Sequence, residues 1–281
     1  MKAVFLIRPG LPHHALAAAG VTEGLARHGI EVITRHHPGR CPEVDDADFV
    51  ICWGWRIGRN WAHRKPTMVL ERGYFGDRMS WTSIGWNGLN GRARFPKMPR
   101  TWEMFERLAP LARQHIHPWR FSLDDPTVIM GQVRGDAALE HCPDYQGWLD
   151  QTAGDFGTRG DVLFRPHPAD QSIPTPRGAT RLDGSLHDAL AIAFNVVTWN
   201  SNAAVDAVLA GVPTIVADCG SMAWPVARPD RGGEKLLGRA RWFADLTMAQ
   251  WTPAEIAGGD FWPWHAPILH DLKHEAVPAH V

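Results

Sequence analysis

The stretch Phe194-Asn-Val-Val-Thr-Trp199, Asn200-Ser201-Asn202, Ala203-Ala-Val-Asp-Ala-Val-Leu-Ala210, Gly211, Val212-Pro-Thr-Ile-Val-Ala217 reads as strand, polar turn, helix and strand. The helical part is built from good helix formers, and Gly211 stands just past its end, where a left-handed residue closes helices. Ser201 or Asn202 caps its start. Connections this short join parallel strands through a crossover helix, so residues 194 to 217 form a β-α-β unit. Amides at a helix start lack intrahelical partners and the dipole is positive there, which suits a phosphate or another anion.

Just upstream, the apolar run Asp161-Val-Leu-Phe164 meets Arg165-Pro166-His167-Pro168, whose prolines continue neither a ladder nor a helix, so His167 is held on a stiff turn. Two polar clusters thus follow two apolar runs. In open α/β sheets the carboxyl ends of the strands line the ligand crevice. Thr127-Val-Ile-Met130 is a further strand, and helices are expected at Tyr145 to Thr152 and Leu186 to Ala193, giving one Rossmann-like lobe.

The N-terminal half repeats the alternation. Ala3 to Ile7 reads as a strand, Leu16 to His28 as a helix closed by Gly29, and Ile30 to Ile33 as a strand. Phe49 to Trp53 and Thr67 to Leu70 are two more short buried runs. Glu71 to Arg100 has no helical period and reads as an elaborate loop structure of the kind that carries function. Trp102 to Arg113 has helical spacing, Asp124-Asp125-Pro126 breaks the chain, and Trp242 to Trp251 reads as a helix packing back on the body. The expected division is 1–124 as an N-terminal lobe, 125–240 as a C-terminal lobe, and 241–281 as a helical segment packing back on the body. A chain of 281 residues has the length of two lobes of about 140 residues each.

The hydrophobic share of 44% and charged share of 21% are those of a globular chain. No apolar run reaches the roughly 20 residues of a membrane span, and Met1 to Ile7 leads straight into Arg8-Pro9-Gly10, so a cytoplasmic protein without a signal segment is expected. Cys41, Cys52, Cys142 and Cys219 are far apart, and the pairs His13-His14 and His36-His37 are adjacent, which points their rings apart on regular structure. No metal site is expected. Net charge is −1, yet Trp53 to Arg100 holds ten basic residues against Glu71 and Asp77, a local net of +8 that leaves −9 for the rest.

No strand-linked G-x-G-x-x-G, no P-loop and no G-x-S-x-G elbow is present, which argues against dinucleotide, P-loop and α/β-hydrolase chemistry. Gly131-Gln132-Val133, then Arg165-Pro-His-Pro168, then Thr198-Trp-Asn-Ser201 leading to Ala207-Val-Leu-Ala-Gly-Val-Pro213, resembles the ordered signature of the capsule polysaccharide biosynthesis family. Its members are Kdo-transferase-like glycosyltransferases, and the resemblance covers Thr127 to Asp218. It implies an α/β, GT-B-like fold of two Rossmann-like lobes facing a cleft. It implies a metal-independent, nucleotide-sugar-dependent glycosyltransferase with no cofactor, its cosubstrate being UDP- or CMP-linked. The donor-binding residues are then Gln132, Arg165, His167, Asn200, Ser201 and Asn202, with His167 and Ser201 on the donor phosphate.

Leu70-Glu71-Arg72-Gly73-Tyr74 resembles the family's E-D-G-F segment, but Arg72 stands at the second acidic position. A base for the acceptor hydroxyl must then come from elsewhere, with Asp77 favoured and Glu71 second. Arg72, Arg78, Trp81, Trp86, Asn87 and Arg92 combine guanidinium groups, aromatic faces and an amide, a set suited to an anionic, stackable acceptor. The favoured acceptor is a hydroxymethylated pyrimidine in DNA, as for phage-encoded glycosyltransferases, which would place the protein in the host cytoplasm. A capsule or surface polysaccharide is the alternative acceptor. A sugar-nucleotide epimerase and a non-catalytic nucleotide- or DNA-binding module are the alternative functions.

Overall fold

A computed structural model describes residues 1–37, 41–99, 101, 112–120, 125–227 and 238–275. The chain divides into two compact units, Met1–Met98 with Asp245–Val281, and Pro99–Ala244.

In unit 1, β1 (Lys2–Ile7) lies between β2 (Glu31–His36) and β3 (Phe49–Trp53), parallel to both, and β4 (Thr67–Arg72) is parallel to β3. Ala3 to Leu6 and Phe49 to Cys52 are fully buried, as strands covered on both faces must be. The segment expected as loop contains a strand, β5 (Thr82–Trp86), antiparallel to β4. Its apolar positions, Ile84 and Trp86, are too few to set a period in the sequence, and pairing with β4 supplies what periodicity did not.

Helix α1 (Pro12–Ala26) begins four residues before Leu16, so His13 and His14 lie in its first turn. Pro12 explains the early start: its fixed φ suits a helix and its missing N–H would have had no partner there. Two short helices, α2 (Glu43–Asp46) and α3 (Trp55–Gly58), complete the parallel half.

The chain division differs from the expected one at both ends. Unit 1 ends at Met98 and not at 124, and the chain rejoins it at Asp245. The contacts responsible are specific. β11 (Gln250–Trp251) pairs with β5, and Gln250 Oε1 accepts from the amides of Tyr74 at 2.7 Å and Phe75 at 3.3 Å. Trp242 to Trp251 is therefore not one helix. α7 (Arg239–Thr247) stops short, and the last two residues form an edge strand. Helix α8 (Pro253–Gly258) opens with a Thr252–Glu255 capping box and lies so close to α1 that a Cβ on Gly24 would sit 1.9 Å from the Ile256 carbonyl oxygen. Helix α9 (Trp262–His274) stacks Trp262 on Phe49 at 5.6 Å.

Unit 2 is a wholly parallel sheet in the order β10-β9-β6-β7-β8, from β6 (Thr127–Met130), β7 (Val162–Arg165), β8 (Thr180–Arg181), β9 (Asn195–Thr198) and β10 (Thr214–Val216). Helices α4 (Tyr145–Gly157), α5 (Leu186–Ile192) and α6 (Ala203–Leu209) fall where the sequence places them, α4 running five residues longer. Alternate residues of β6 enter opposite cores: Val128 and Met130 pack with Leu190, Val196 and Val212, and Ile129 with Leu149, Phe164 and Val197. Gly211 has φ 76° and lies so near Pro118 that a Cβ would meet its carbonyl oxygen at 1.9 Å, so only glycine fits.

The helix expected at Trp102 to Arg113 lies largely outside the described residues. No helix among the described residues is long and apolar enough to cross a membrane.

Candidate functional site

In unit 2 the chain builds β6, β7 and β8 outward in one direction, then crosses back to add β9 and β10 on the other side. The strand order reverses between β6 and β9, and the carboxyl ends of strands flanking such a reversal leave room for a ligand. Gln132 follows β6 and Asn200 follows β9. Gln132 Nε2 donates to Asn200 Oδ1 at 2.9 Å, and the Asn200 amide donates to Gln132 Oε1 at 3.0 Å. Asn200 Nδ2 donates further to Asp218 Oδ2 at 2.7 Å and to the Ala138 carbonyl at 2.6 Å. Gln132 and Asn200 are 5% and 2% exposed. Both were expected to touch donor, but the side-chain oxygen and nitrogen of Asn200 are engaged within the protein. The pair forms the floor of the strand ends, because amides at adjoining strand termini satisfy each other once buried.

Arg165 is the last residue of β7, not the first of the loop after it. Its side chain is 9% exposed, and Nε donates to the Gly184 carbonyl at 3.3 Å. Burial pushes its pKa down, and among the described residues no carboxylate pairs with it. A desolvated cation without a counter-charge is costly, and an anionic ligand relieves that cost.

His167 lies in the turn that follows. Its Nδ1 accepts from the Ala169 amide at 3.1 Å, so the proton of the neutral ring is on Nε2. The turn is tied across to the loop after β6 by Asp170, whose Oδ2 accepts from the Arg134 amide at 2.9 Å.

The start of α6 differs from the expected open anion site. Ser201 Oγ accepts from the Ala203 amide at 3.2 Å, the Ser201 carbonyl from Ala204 at 3.0 Å, and the Asn202 carbonyl from Val205 at 2.9 Å. These first amides are taken up by the turn itself, and the Asn202 side chain makes no capping bond. Asn202 stands at the N-cap position, while the side-chain bond to the first turn comes from Ser201.

The unit 1 candidates separate into structural and strand-end residues. Asp77 is exposed, but its Oδ2 accepts from Ser80 Oγ at 2.5 Å and its Oδ1 from the Met79 amide at 3.1 Å. The Ser80 bond holds its pKa below the ordinary value, making it a poorer base. Trp86, expected against the acceptor, is wholly buried in β5 and donates its indole N–H to His265 Nδ1 at 3.0 Å. It offers no stacking face. Asn87 has φ 52° and accepts from the Thr67 amide at 2.7 Å, so it shapes the turn after β5. Arg78 and Trp81 belong to one loop, where both backbone carbonyls accept from the Gly73 amide; Arg92 lies in a tight turn, Asn90–Arg92.

Glu71 and Arg72, expected in a loop, end β4. Glu71 Oε1 lies 3.7 Å from where a Cβ on Gly54 would stand, and the Arg72 guanidinium lies over the Trp53 ring at 5.3 Å. Much of the basic segment is matched locally: Arg64 pairs with Asp45, Arg94 with Glu275 and Lys97 with Asp245, and Lys65 binds the carbonyls of Asp45 and Ala47.

Sequence reading missed Asp218, Tyr145 and the residues around His13. Asp218 follows β10, so the strand-end rule that singled out Asn200 reaches it too. Tyr145, whose hydroxyl accepts from the Gln132 amide at 2.8 Å, carries no such signal because it comes from a helix.

No family model matches the chain, and no curated protein does. Among solved structures, it is similar to the β-Kdo 2,7-transferase of Thermosulfurimonas dismutans KpsC, with 13% identity, a TM-score of 0.62, and 94% of this chain and 99% of that chain covered. The β-Kdo 2,4-transferase of the same KpsC gives 14% identity and a TM-score of 0.61 over 95% and 97%. At these identities the likeness shows the fold, which is α/β with two Rossmann-like lobes of the GT-B type.

Proposed function

We propose that the protein is a glycosyltransferase that moves a sugar from a nucleotide-sugar donor to a hydroxyl acceptor, with the donor held by unit 2. The observation that carries this reading is the buried guanidinium of Arg165, without a carboxylate partner among the described residues, beside the strand-order reversal. An anionic diphosphate or monophosphate bridge is the ligand chemistry that completes such a cation. His167, two residues after Arg165, is assigned as a hydrogen-bond donor through Nε2, and Ser201 and Asn202 border the same strand ends. Gln132 and Asn200 act by positioning, holding the β6 and β9 ends together. The likeness to two Kdo transferases supports this reading at the level of fold.

Unit 1 is assigned the acceptor, with the half-exposed side chains of Arg72, Arg78 and Trp81 as its candidate contacts. A saccharide acceptor is favoured over DNA. The DNA reading relied on a basic, aromatic surface between Trp53 and Arg100, yet Trp86 is buried and Arg64, Arg94 and Lys97 have acidic partners.

The test is to incubate the protein with UDP- and CMP-linked sugars and either an oligosaccharide or hydroxymethylcytosine DNA, then read mass shifts. Transfer to saccharide is the expected result. Transfer to DNA alone would restore the DNA acceptor, and isomerised donor without transfer would point to an epimerase. Donor binding with neither product would leave a binding module.

A further inference from the structure

Two Asn-Gly pairs lie close together in unit 1, Asn87-Gly88 and Asn90-Gly91. Both fall in the loop from Asn87 to Ala93, which follows β5. Two bonds close the base of that loop: the Trp86 amide donates to the Arg94 carbonyl at 3.0 Å, and the Arg94 amide to the Trp86 carbonyl at 2.9 Å. Both asparagines take a left-handed φ, 52° and 50°, which their short polar side chain tolerates in turns. Asn-Gly is also a dipeptide prone to cyclise on itself, because glycine has no Cβ to hinder its nitrogen as it approaches the asparagine side-chain carbon.

The fold holds the two pairs differently. Asn87 Oδ1 accepts from the Thr67 amide at 2.7 Å, which fixes its side-chain carbon against the start of β4. Gly88 is buried, and a Cβ there would sit 2.4 Å from the Arg92 carbonyl oxygen, so its backbone has no room to turn. Asn90 stands at the tip of the loop. Among the described residues its side-chain amide has no hydrogen-bond partner, and Gly91 is exposed with an amide that donates to no backbone carbonyl. The tip, Asn90–Arg92, is a single tight turn held by the Arg92 amide on the Leu89 carbonyl at 3.1 Å and the Ala93 amide on the Asn90 carbonyl at 2.9 Å. An exposed turn of this kind opens locally far more readily than a pairing tied into a sheet.

We propose that Asn90-Gly91 is a site of spontaneous covalent modification, closing to a cyclic imide and reopening to aspartate and isoaspartate, while the fold protects Asn87-Gly88. In the first step the Gly91 nitrogen gives its proton to hydroxide and forms a bond to the Asn90 side-chain carbon. The bond from that carbon to the side-chain nitrogen breaks, and the nitrogen takes up a proton and leaves as ammonia. In the second step water adds to one of the two imide carbonyls and the ring opens. Opening at the side-chain carbonyl gives aspartate, and opening at the backbone carbonyl gives isoaspartate. Either product adds a carboxylate beside Arg92, so the local net of +8 between Trp53 and Arg100 falls by one. Isoaspartate also inserts a methylene into the backbone, which the tight turn at Asn90–Arg92 does not accommodate with its bonds unchanged. The site needs no ligand and is independent of the glycosyltransferase reading.

The experiment ages the whole protein at neutral and at mildly alkaline pH and follows both pairs by tandem mass spectrometry, where each event adds about 1 Da and fragment ions place it at Asn87 or Asn90. Asn90 should react at least about tenfold faster than Asn87, since one ordinary hydrogen bond alone slows opening by about that factor. Its rate should rise with pH, because the attacking nitrogen must first lose a proton. In urea, where the fold no longer distinguishes them, the two should react within about threefold of each other. Gly91→Ala provides a second variant. Gly91 is not among the left-handed glycines, so alanine fits the backbone there, and its methyl group should slow the Asn90 reaction by about tenfold with the unfolding midpoint unchanged. Equal rates at the two asparagines in the folded protein overturn the proposal, as does an Asn90 that stays intact while the chain in urea reacts. Reaction of Asn90 at the wild-type rate in Gly91→Ala overturns the imide route.

Discussion

The two strand-order reversals of this chain solve the same geometric problem with opposite chemistry. In unit 2, the ends of β6 and β9 are closed by neutral amides that satisfy each other, leaving one buried cation, Arg165, at the end of β7. In unit 1, the ends of β1, β3 and β4 carry aromatic rings and guanidinium groups, with no comparable amide floor among the described residues and with a half-exposed imidazole. A rigid, pre-satisfied floor suits a ligand recognised by charge at one fixed point. One topological rule marks both places, and the side chains that the rule brings there differ.

The contrast can be broken most sharply at Asn200. Asn200→Ala removes three side-chain hydrogen bonds and takes a partner from Gln132 Nε2, the Ala138 carbonyl and Asp218 Oδ2, so unfolding free energy measured in urea should drop by roughly 3 kcal/mol. A loss under about 1 kcal/mol would mean that the floor is not a structural unit.

Arg165→Met should act in the opposite sense on folding. Removing a desolvated cation should leave stability unchanged or higher, while affinity for UDP or CMP, followed by calorimetry, should fall by roughly 100-fold. Unchanged affinity with lowered stability would make Arg165 a structural residue and remove the main support for donor binding in unit 2.

The smallest effect belongs to Trp86. Trp86→Phe leaves His265 Nδ1 without its donor and should cost about 1.5 kcal/mol, with acceptor KM unchanged if this ring is core and not acceptor surface. A raised KM at full stability would return Trp86 to the acceptor site. Burial pushes the His265 pKa from 6.5 down to about 3. The unfolded state therefore binds the extra proton first, and stability, full above pH 6.5, should be lost as pH falls from there toward 3. His265→Gln should flatten that part of a denaturation-versus-pH curve.

Much of unit 2 was legible along the chain because its strands and helices are short, consecutive and separated by polar turns. Each β-α-β connection is local, so Phe194 to Ala217 carries its own evidence. Unit 1 was legible only as far as β4. The strand at Thr82 to Trp86 depends on β4 and on Gln250 and Trp251, partners that lie far away along the chain, and two apolar positions cannot announce such pairing. The candidate site divided in the same way. Arg165, His167 and Asn200 were found from their positions after strands, but which groups were already engaged could not be read. Asn200 and Arg165 look alike in a sequence, since both are polar residues at strand ends.

By itself the sequence determined the alternation of strands and helices and the places where their carboxyl ends fall. Those features follow from local propensity and from apolar runs, which act over a few residues. Only the tertiary structure decided that Gln132 and Asn200 answer each other, that Trp86 is core, that the C-terminal segment completes the first sheet, and that His13 meets Trp53 near Arg72. Hydrogen-bond satisfaction and burial are properties of partners brought together across the fold, and a polar residue's chemistry is set by whether its partners are already there.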